Sequence, residues 1–120
     1  VPATEASLAL VKASAKDFAQ SAKKKDFTPF YKNIAELWKS QTSAAELNKT
    51  FTPFFAIGED LETIVDKASP VLDEPPSIGS NNFLTLKGYF PYQGSQFVFA
   101  FQYAYENGAW KLVAVKVETK

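Results

Sequence analysis

The chain contains no histidine, no cysteine, no arginine and no methionine. Each absence removes a class of chemistry. Without Cys and His there is no thiolate nucleophile, no imidazole base, no disulfide and no ordinary zinc or copper site. We expect no cofactor and no metal centre of those kinds; a hard-cation site of oxygen ligands is the metal option that survives. Without Arg, every cation is a lysine, and the bidentate fork usual for phosphate and carboxylate recognition is missing. The 13 Lys+Arg balance 13 Asp+Glu to a formal charge of zero. No basic excess exists to neutralise phosphates, so nucleic acid is a poor partner. No apolar run approaches the ~20 residues of a membrane span.

The missing methionine leads us to expect that the chain is not a complete primary translation product. Two readings of its start, VPATEAS, fit. One is a mature domain after removal of a signal or lipid-anchor segment, which puts the protein in the periplasm or outside the cell. The other is a cytosolic protein trimmed at its start. Absence of Cys is compatible with export without demanding it.

The 120 residues are 46% hydrophobic and 22% charged, an ordinary globular balance. They suffice for one domain, which we take to span 1–120, with a helical part over about 5–66 and a sheet part over about 69–119. Leu8, Val11, Ala15, Phe18 and Ala22 recur at helical spacing and predict a helix over about 5–24. Lys23, Lys24 and Lys25 suit its C-terminal dipole. In DFTPFYKNIAELWKSQ, Thr28 is a candidate N-cap and Pro29 fits the first helical position, predicting a second helix over about 29–41. Ser43-Ala-Ala-Glu46 reads as a capping box opening a third helix through Leu47, Phe51 and Phe54. Pro53 either kinks that helix or follows a fresh cap at Thr52. Gly58 is read as the stop, with one short helical turn over 59–66 beyond it.

From Ser69 the period becomes two. Strands are predicted over 70–73, 82–92, 96–106 and 110–118, with Pro75-Pro76 as a break and Gly88 as a bulge or bend. Gln93-Gly94 and Asn107-Gly108 read as hairpin turns. Helices followed by an antiparallel meander make the class α+β: three N-terminal helices on one face of a curved, four-stranded, cone-like sheet.

The hairpin YENGAWKLVAVKV resembles the terminal hairpin of the nuclear transport factor two/ketosteroid isomerase-like superfamily. The stretches PVLDEPPSI, FLTLKGYFP and QFVFAFQYAYENGAWKL resemble bacterial, often exported, members of it. The resemblance implies a strongly bent sheet and, in many members, sheet-to-sheet pairing. Its isomerase-type members pair an Asp base with a Tyr donor, for which Asp60, Tyr31, Tyr89 and Tyr103 are the right residue types. No motif aligns any of them with a catalytic position, and no catalytic residue is assigned.

The sharpest pattern is in the third predicted strand. Phe97, Phe99, Phe101, Tyr103 and Tyr105 alternate and share one face. They either line a pocket for a flat apolar ligand or fill the core against Phe18, Phe30, Trp38 and Phe54. Under the pocket reading, the candidate ligand-contacting residues are Tyr31, Trp38, Tyr89, Phe101, Tyr103 and Tyr105. Val98, Ala100, Gln102 and Ala104 point the other way and form a flat candidate interface for a homodimer. The leading functional expectation is a non-enzymatic domain binding a small apolar ligand or a protein. The alternative is a small isomerase or lyase using carboxylate and tyrosine chemistry.

Three other patterns carry less. The acidic run Glu59, Asp60, Glu62 and Asp66 lacks the calcium-loop spacing. Asn48-Lys49-Thr50 matches the glycosylation acceptor pattern, but sits on a predicted helix. The tetrapeptide FTPF occurs at Phe27–Phe30 and again at Phe51–Phe54. It is too short for a structural repeat, and reads as one local packing device used twice.

Overall fold

The computed structural model describes residues 1–120. Helix α1 (Thr4–Lys24) buries Val11, Ala15, Phe18 and Ala22, the stripe its sequence spacing marks. It ends on Lys25 in the left-handed conformation (φ 58°), whose N–H bonds back to Ala22 C=O. The following Asp26 accepts from both the Thr28 N–H (3.0 Å) and the Thr28 hydroxyl (2.7 Å). Asp26 therefore supplies the cap expected of Thr28, while Pro29 takes its place in the first turn of α2 (Thr28–Asn33).

The expected second helix over 29–41 is two pieces, α2 and α3 (Glu36–Lys39). Ile34 and Ala35 between them are extended and buried. The ladder breaks because the backbone has better partners elsewhere. Ala35 N–H donates to Leu112 C=O at 2.8 Å. The Glu106 carboxylate accepts from Glu36 N–H (2.8 Å) and Leu37 N–H (3.2 Å), capping α3 from across the fold.

Ser43 Oγ accepts from Glu46 N–H at 3.1 Å and opens α4 (Ala44–Thr50) as expected. Pro53 does not kink α4. A separate 3-10 helix spans Thr52–Ile57, with Pro53 in its first turn. Gly58 is not a stop. It has ordinary right-handed helical φ (−57°) and opens α5 (Gly58–Lys67), ten residues long. A β-carbon there would overlap the α1 backbone at Ala22 and Lys23, so Gly58 lets α5 lie directly on α1. The acidic residues Glu59, Asp60, Glu62 and Asp66 lie along α5, and Glu62 pairs with Lys23 at 2.9 Å.

The sheet is antiparallel and open. Strands β3 (Leu84–Tyr92), β4 (Ser95–Glu106) and β5 (Ala109–Thr119) form a meander. Two short strands, β1 (Val71–Leu72) and β2 (Ser77–Ile78), lie end to end along the outer edge of β3. Pro75-Pro76 separates them, so what reads as one strand and a loop is two strand fragments. Gly88 is in register with Phe99 and carries no bulge. It is small because the Val71 carbonyl of β1 presses on it. The irregularity lies elsewhere: Gln102 pairs with Ala114 and Tyr103 with Leu112, leaving Val113 without a partner. Both tight turns, Gln93-Gly94 and Asn107-Gly108, have positive φ at both residues (48° and 82°, 51° and 83°). That conformation matches the strand twist and explains the sequence signal.

The helices cover one face of the sheet. Leu84, Leu86, Phe90, Phe97, Phe99, Phe101, Tyr103 and Leu112 meet the helices in one cluster of 22 buried residues. The chain is thus α+β, with an antiparallel sheet and helices on one side, though with five α-helices and five strands instead of three and four. No helix is long and apolar enough to cross a membrane.

Candidate functional site

The alternating aromatics of β4 fill the core and do not enclose an empty pocket. Phe97 and Phe101 are wholly buried, and Phe99 and Tyr103 nearly so. Phe97 and Phe99 contact the Phe90 ring, and Phe18 sits over Phe97. Rings on both sides of the interface leave no room for a flat ligand between sheet and helices.

The six aromatic residues singled out by the sequence do not converge. Phe101 is interior. Tyr31 is half-buried on α2, with the Lys39 ammonium 5.9 Å from its ring centre. Trp38 packs edge-on against Phe30 on the α2–α3 segment. Tyr89 is paired with Val98 in register and faces away from the helices. Tyr105 is 61% exposed and packs edge-on against Trp110. Tyr103 alone of the six lines a substantial cleft.

That cleft has a volume of about 420 Å³ and lies between α1 and the start of β5, within the size range of small-molecule sites. Its construction follows from the helix period. Ala13, Ser14, Asp17 and Gln20 recur at spacings of three and four on the flank of the buried α1 stripe, so they share one side of the helix. Ala13 and Ser14 are small and leave space. Opposite them stand Trp110, Lys111 and Leu112 of β5, and Asn33-Ile34 from the α2–α3 break closes one side. The same Ala35–Leu112 bond that breaks the helix therefore brings Asn33 and Ile34 beside β5.

The cleft has a charged and amide-bearing wall and a floor where two hydroxyls meet. Asn33 Nδ2 donates to Asp17 Oδ2 at 3.1 Å. Burial holds the Asp17 carboxyl above the usual carboxylate range; the Asn33 bond opposes this and is the smaller effect. At the floor, the Tyr103 and Ser14 hydroxyls are 2.8 Å apart, and Leu10 C=O lies 3.4 Å from the Tyr103 hydroxyl. Burial pushes the Tyr103 phenol up, so it stays protonated and acts as a neutral hydrogen-bonding group. Lys16 and Lys111 also line the cleft, and neither belongs to the three ion pairs of the chain.

Sequence reasoning missed Asp17, Asn33 and Trp110 as site residues. Asp17 reads as part of the solvated side of α1. The signal that was available is the pair of small residues, Ala13 and Ser14, four and three positions before it. They mark a place where small side chains leave space beside the helix.

A hollow of similar size, about 410 Å³, lies at the Tyr92–Ser95 turn. It is an open dish of turn residues with one cation, Lys120, and offers little to hold a ligand. A third, of about 220 Å³, lies on the helix-free face of the sheet between Lys87 and Lys116, around Ala100. Of the expected interface residues, Val98, Ala100 and Gln102 are half-buried on this face, and Ala104 is only 8% exposed, leaving it little surface to offer.

Comparison with protein-family models, with curated protein sequences and with solved structures finds no match for this chain.

Proposed function

We propose that this chain is a non-enzymatic binding domain that seats a small ligand in the cleft between α1 and β5. We further propose that it is a divergent member of the nuclear transport factor two/ketosteroid isomerase-like superfamily, with a cone-like sheet, and that two copies pair through the helix-free face. The observation that carries the binding reading is a contrast: the aromatic face under the helices is filled, whereas the α1–β5 cleft keeps about 420 Å³ beside a half-buried carboxylate. A polar group left partly dewetted at a cleft gains more from a ligand than one in open water.

The non-enzymatic part rests on Tyr103. Its hydroxyl is tied to Ser14, and burial makes the phenol a weaker proton donor. A Tyr donor of the isomerase type acts by turning its protonated hydroxyl on a substrate oxygen, and here that hydroxyl is already engaged inside the protein. A second reading, an isomerase or lyase with Asp17 as base, is favoured by the raised Asp17 carboxyl alone.

The test is amide NMR of the full chain against a chemically diverse fragment mixture. The binding reading expects shifts at Ser14, Asp17, Asn33 and Trp110. Shifts confined to the Tyr92–Ser95 turn or the helix-free face would remove it.

A further inference from the structure

The chemistry of the cleft wall narrows the ligand class, given the reading of the cleft as a ligand site. Two cations, Lys16 and Lys111, and one carboxylate, Asp17, line the same space. A ligand carrying a single negative charge can pair with a lysine but also meets the Asp17 carboxylate. One carrying a single positive charge meets two unpaired ammonium groups. A neutral ligand meets neither penalty. Yet the wall is rich in hydrogen-bonding groups of both senses. Asp17 and the Asn33 carbonyl accept; the Gln20 amide, the two lysines and the Trp110 indole N–H donate. The group that satisfies both kinds at one atom is a hydroxyl, which donates to a carboxylate while accepting from an ammonium or amide.

The apolar component has the matching form. Trp110 is half-buried, held edge-on by Tyr105 at a centroid distance of 5.0 Å. An indole fixed at the side of a polar cleft offers a flat apolar surface and a polar N–H together. A ring whose faces are C–H and whose rim is hydroxyl complements that arrangement.

We infer that the cleft between α1 and β5 binds a neutral, hydroxyl-rich ring, a sugar unit, stacked on Trp110 with its hydroxyls shared between Asp17 with Asn33 on one side and Lys16, Lys111 and Gln20 on the other.

The experiment titrates the full chain, by amide and indole NMR, with three sets of probes: glucose, galactose, N-acetylglucosamine and their disaccharides; glycine and glutamate; and the diverse fragment mixture. The expected result is that at least one saccharide shifts the Trp110 indole N–H and the Asp17 and Asn33 amides in a saturable way. Trp110→Ala should then weaken that saccharide at least tenfold, and Asp17→Ala likewise, with the spectrum otherwise dispersed as in the parent. Asp17→Asn, which keeps an acceptor, should retain more affinity than Asp17→Ala. If only the amino acids shift the cleft, or only non-saccharide fragments do, the sugar assignment is overturned and the cleft remains a ligand site. If saccharides bind but Trp110→Ala leaves their affinity unchanged, the assignment is likewise overturned. If no probe of any set reaches the cleft, both the assignment and the reading beneath it fall.

Discussion

Asn48 Oδ1 accepts a hydrogen bond from the Phe27 backbone N–H at 2.6 Å. The bond joins the first FTPF copy to the helix that leads into the second. Between the two copies sits Phe18 of α1. The rings of Phe27, Phe30, Phe51 and Phe54 lie 5.2, 5.9, 5.0 and 5.4 Å from its centroid, all edge-to-face. That geometry sets the positive ring edges against negative faces. The repeated tetrapeptide is thus one aromatic clamp, built from both copies around a single ring. Asn48, which matches a glycosylation pattern in sequence, has its side-chain carbonyl committed to holding it closed.

Asn48→Ala should therefore cost stability out of proportion to its half-buried position. It leaves the N–H of the fully buried residue Phe27 without a partner, a loss of about 1–3 kcal/mol. Phe18→Ala, which empties the centre of the clamp, should cost about 3–5 kcal/mol. Urea unfolding midpoints measure both. If Asn48→Ala unfolds with the parent, the bond does not fix the clamp.

What the sequence discloses here follows from the range of the interactions. α1 is legible because its stripe is local and each buried position recurs at helical spacing. The Gln93-Gly94 and Asn107-Gly108 turns are legible because positive φ selects residue types directly. The α2–α3 break is not legible, because its causes lie far along the chain: Glu106 is 70 residues from Glu36, and Leu112 is further still from Ala35. Gly58 and Gly88 look like local punctuation, but each is small because another backbone segment passes over it. The same holds for the cleft: Asp17, Asn33 and Trp110 have no shared motif, and only the tertiary break at Ile34-Ala35 brings them together.

Asp17 gives a stability prediction with a defined sign. Its carboxyl is raised by burial, so the folded state holds its proton more tightly than the unfolded chain. Its relative contribution is most favourable below the unfolded value, about 3.9, and is lost as pH rises through the folded value. At neutral pH the ionised side chain is therefore a net liability. Asp17→Asn, which can still accept from the Asn33 amide, should raise the melting temperature at pH 7. The gain should shrink toward zero as pH falls below about 4. Melting curves from pH 3 to 7 check this; a variant less stable at pH 7 would mean that the Asn33 bond outweighs desolvation.

Asp26 behaves in the opposite sense. The Thr28 hydroxyl first, and the Thr28 N–H second, hold its carboxyl below the usual range. Its contribution is present above the unfolded value and lost as pH falls through the folded one. In the Asp17→Asn background, acid destabilisation should therefore persist, and adding Asp26→Asn should reduce the part that falls below about pH 4. NMR titration of the Asp26 carboxyl resonance gives the midpoint independently. A midpoint at or above the ordinary value would remove this cap from the account.

Gly58→Ala places a β-carbon into the α1 backbone at Ala22 and Lys23. Neither side of this contact is a flexible side chain, so α5 must move as a unit. We expect a loss of about 1–3 kcal/mol or slightly more, the range for forced overpacking. The change should also reach the Lys23–Glu62 pair on the same interface. An unfolding midpoint within experimental error of the parent would show that α5 can shift freely.

The helix-free face makes a prediction about self-association from register alone. Lys87, Ala100 and Lys116 form one cross-strand row, and Tyr89, Val98 and Glu118 form the row two residues along. A twofold axis running across the strands between these rows lays each on the other. Lys116 then meets the partner's Glu118, Lys87 meets the partner's Tyr89, and the small residues Ala100 and Val98 meet at the centre. An axis along the strands would instead set Lys87 against the partner's Lys116, so charge selects the first arrangement. Three long strands at a spacing of ~4.8 Å and a rise of ~3.4 Å per residue give a face on the order of 500 Å², before side-chain relief is added. That approaches the ~800 Å² per partner of a standard interface. The Glu118–Lys120 contact within one chain, 3.7 Å long and exposed, competes weakly. Light scattering should show a dimer at high micromolar concentration that weakens with salt. Lys116→Glu or Glu118→Lys alone should weaken it about tenfold or more, and the two together should restore it. A parent that stays monomeric, or a double variant as weak as either single one, would sink this pairing.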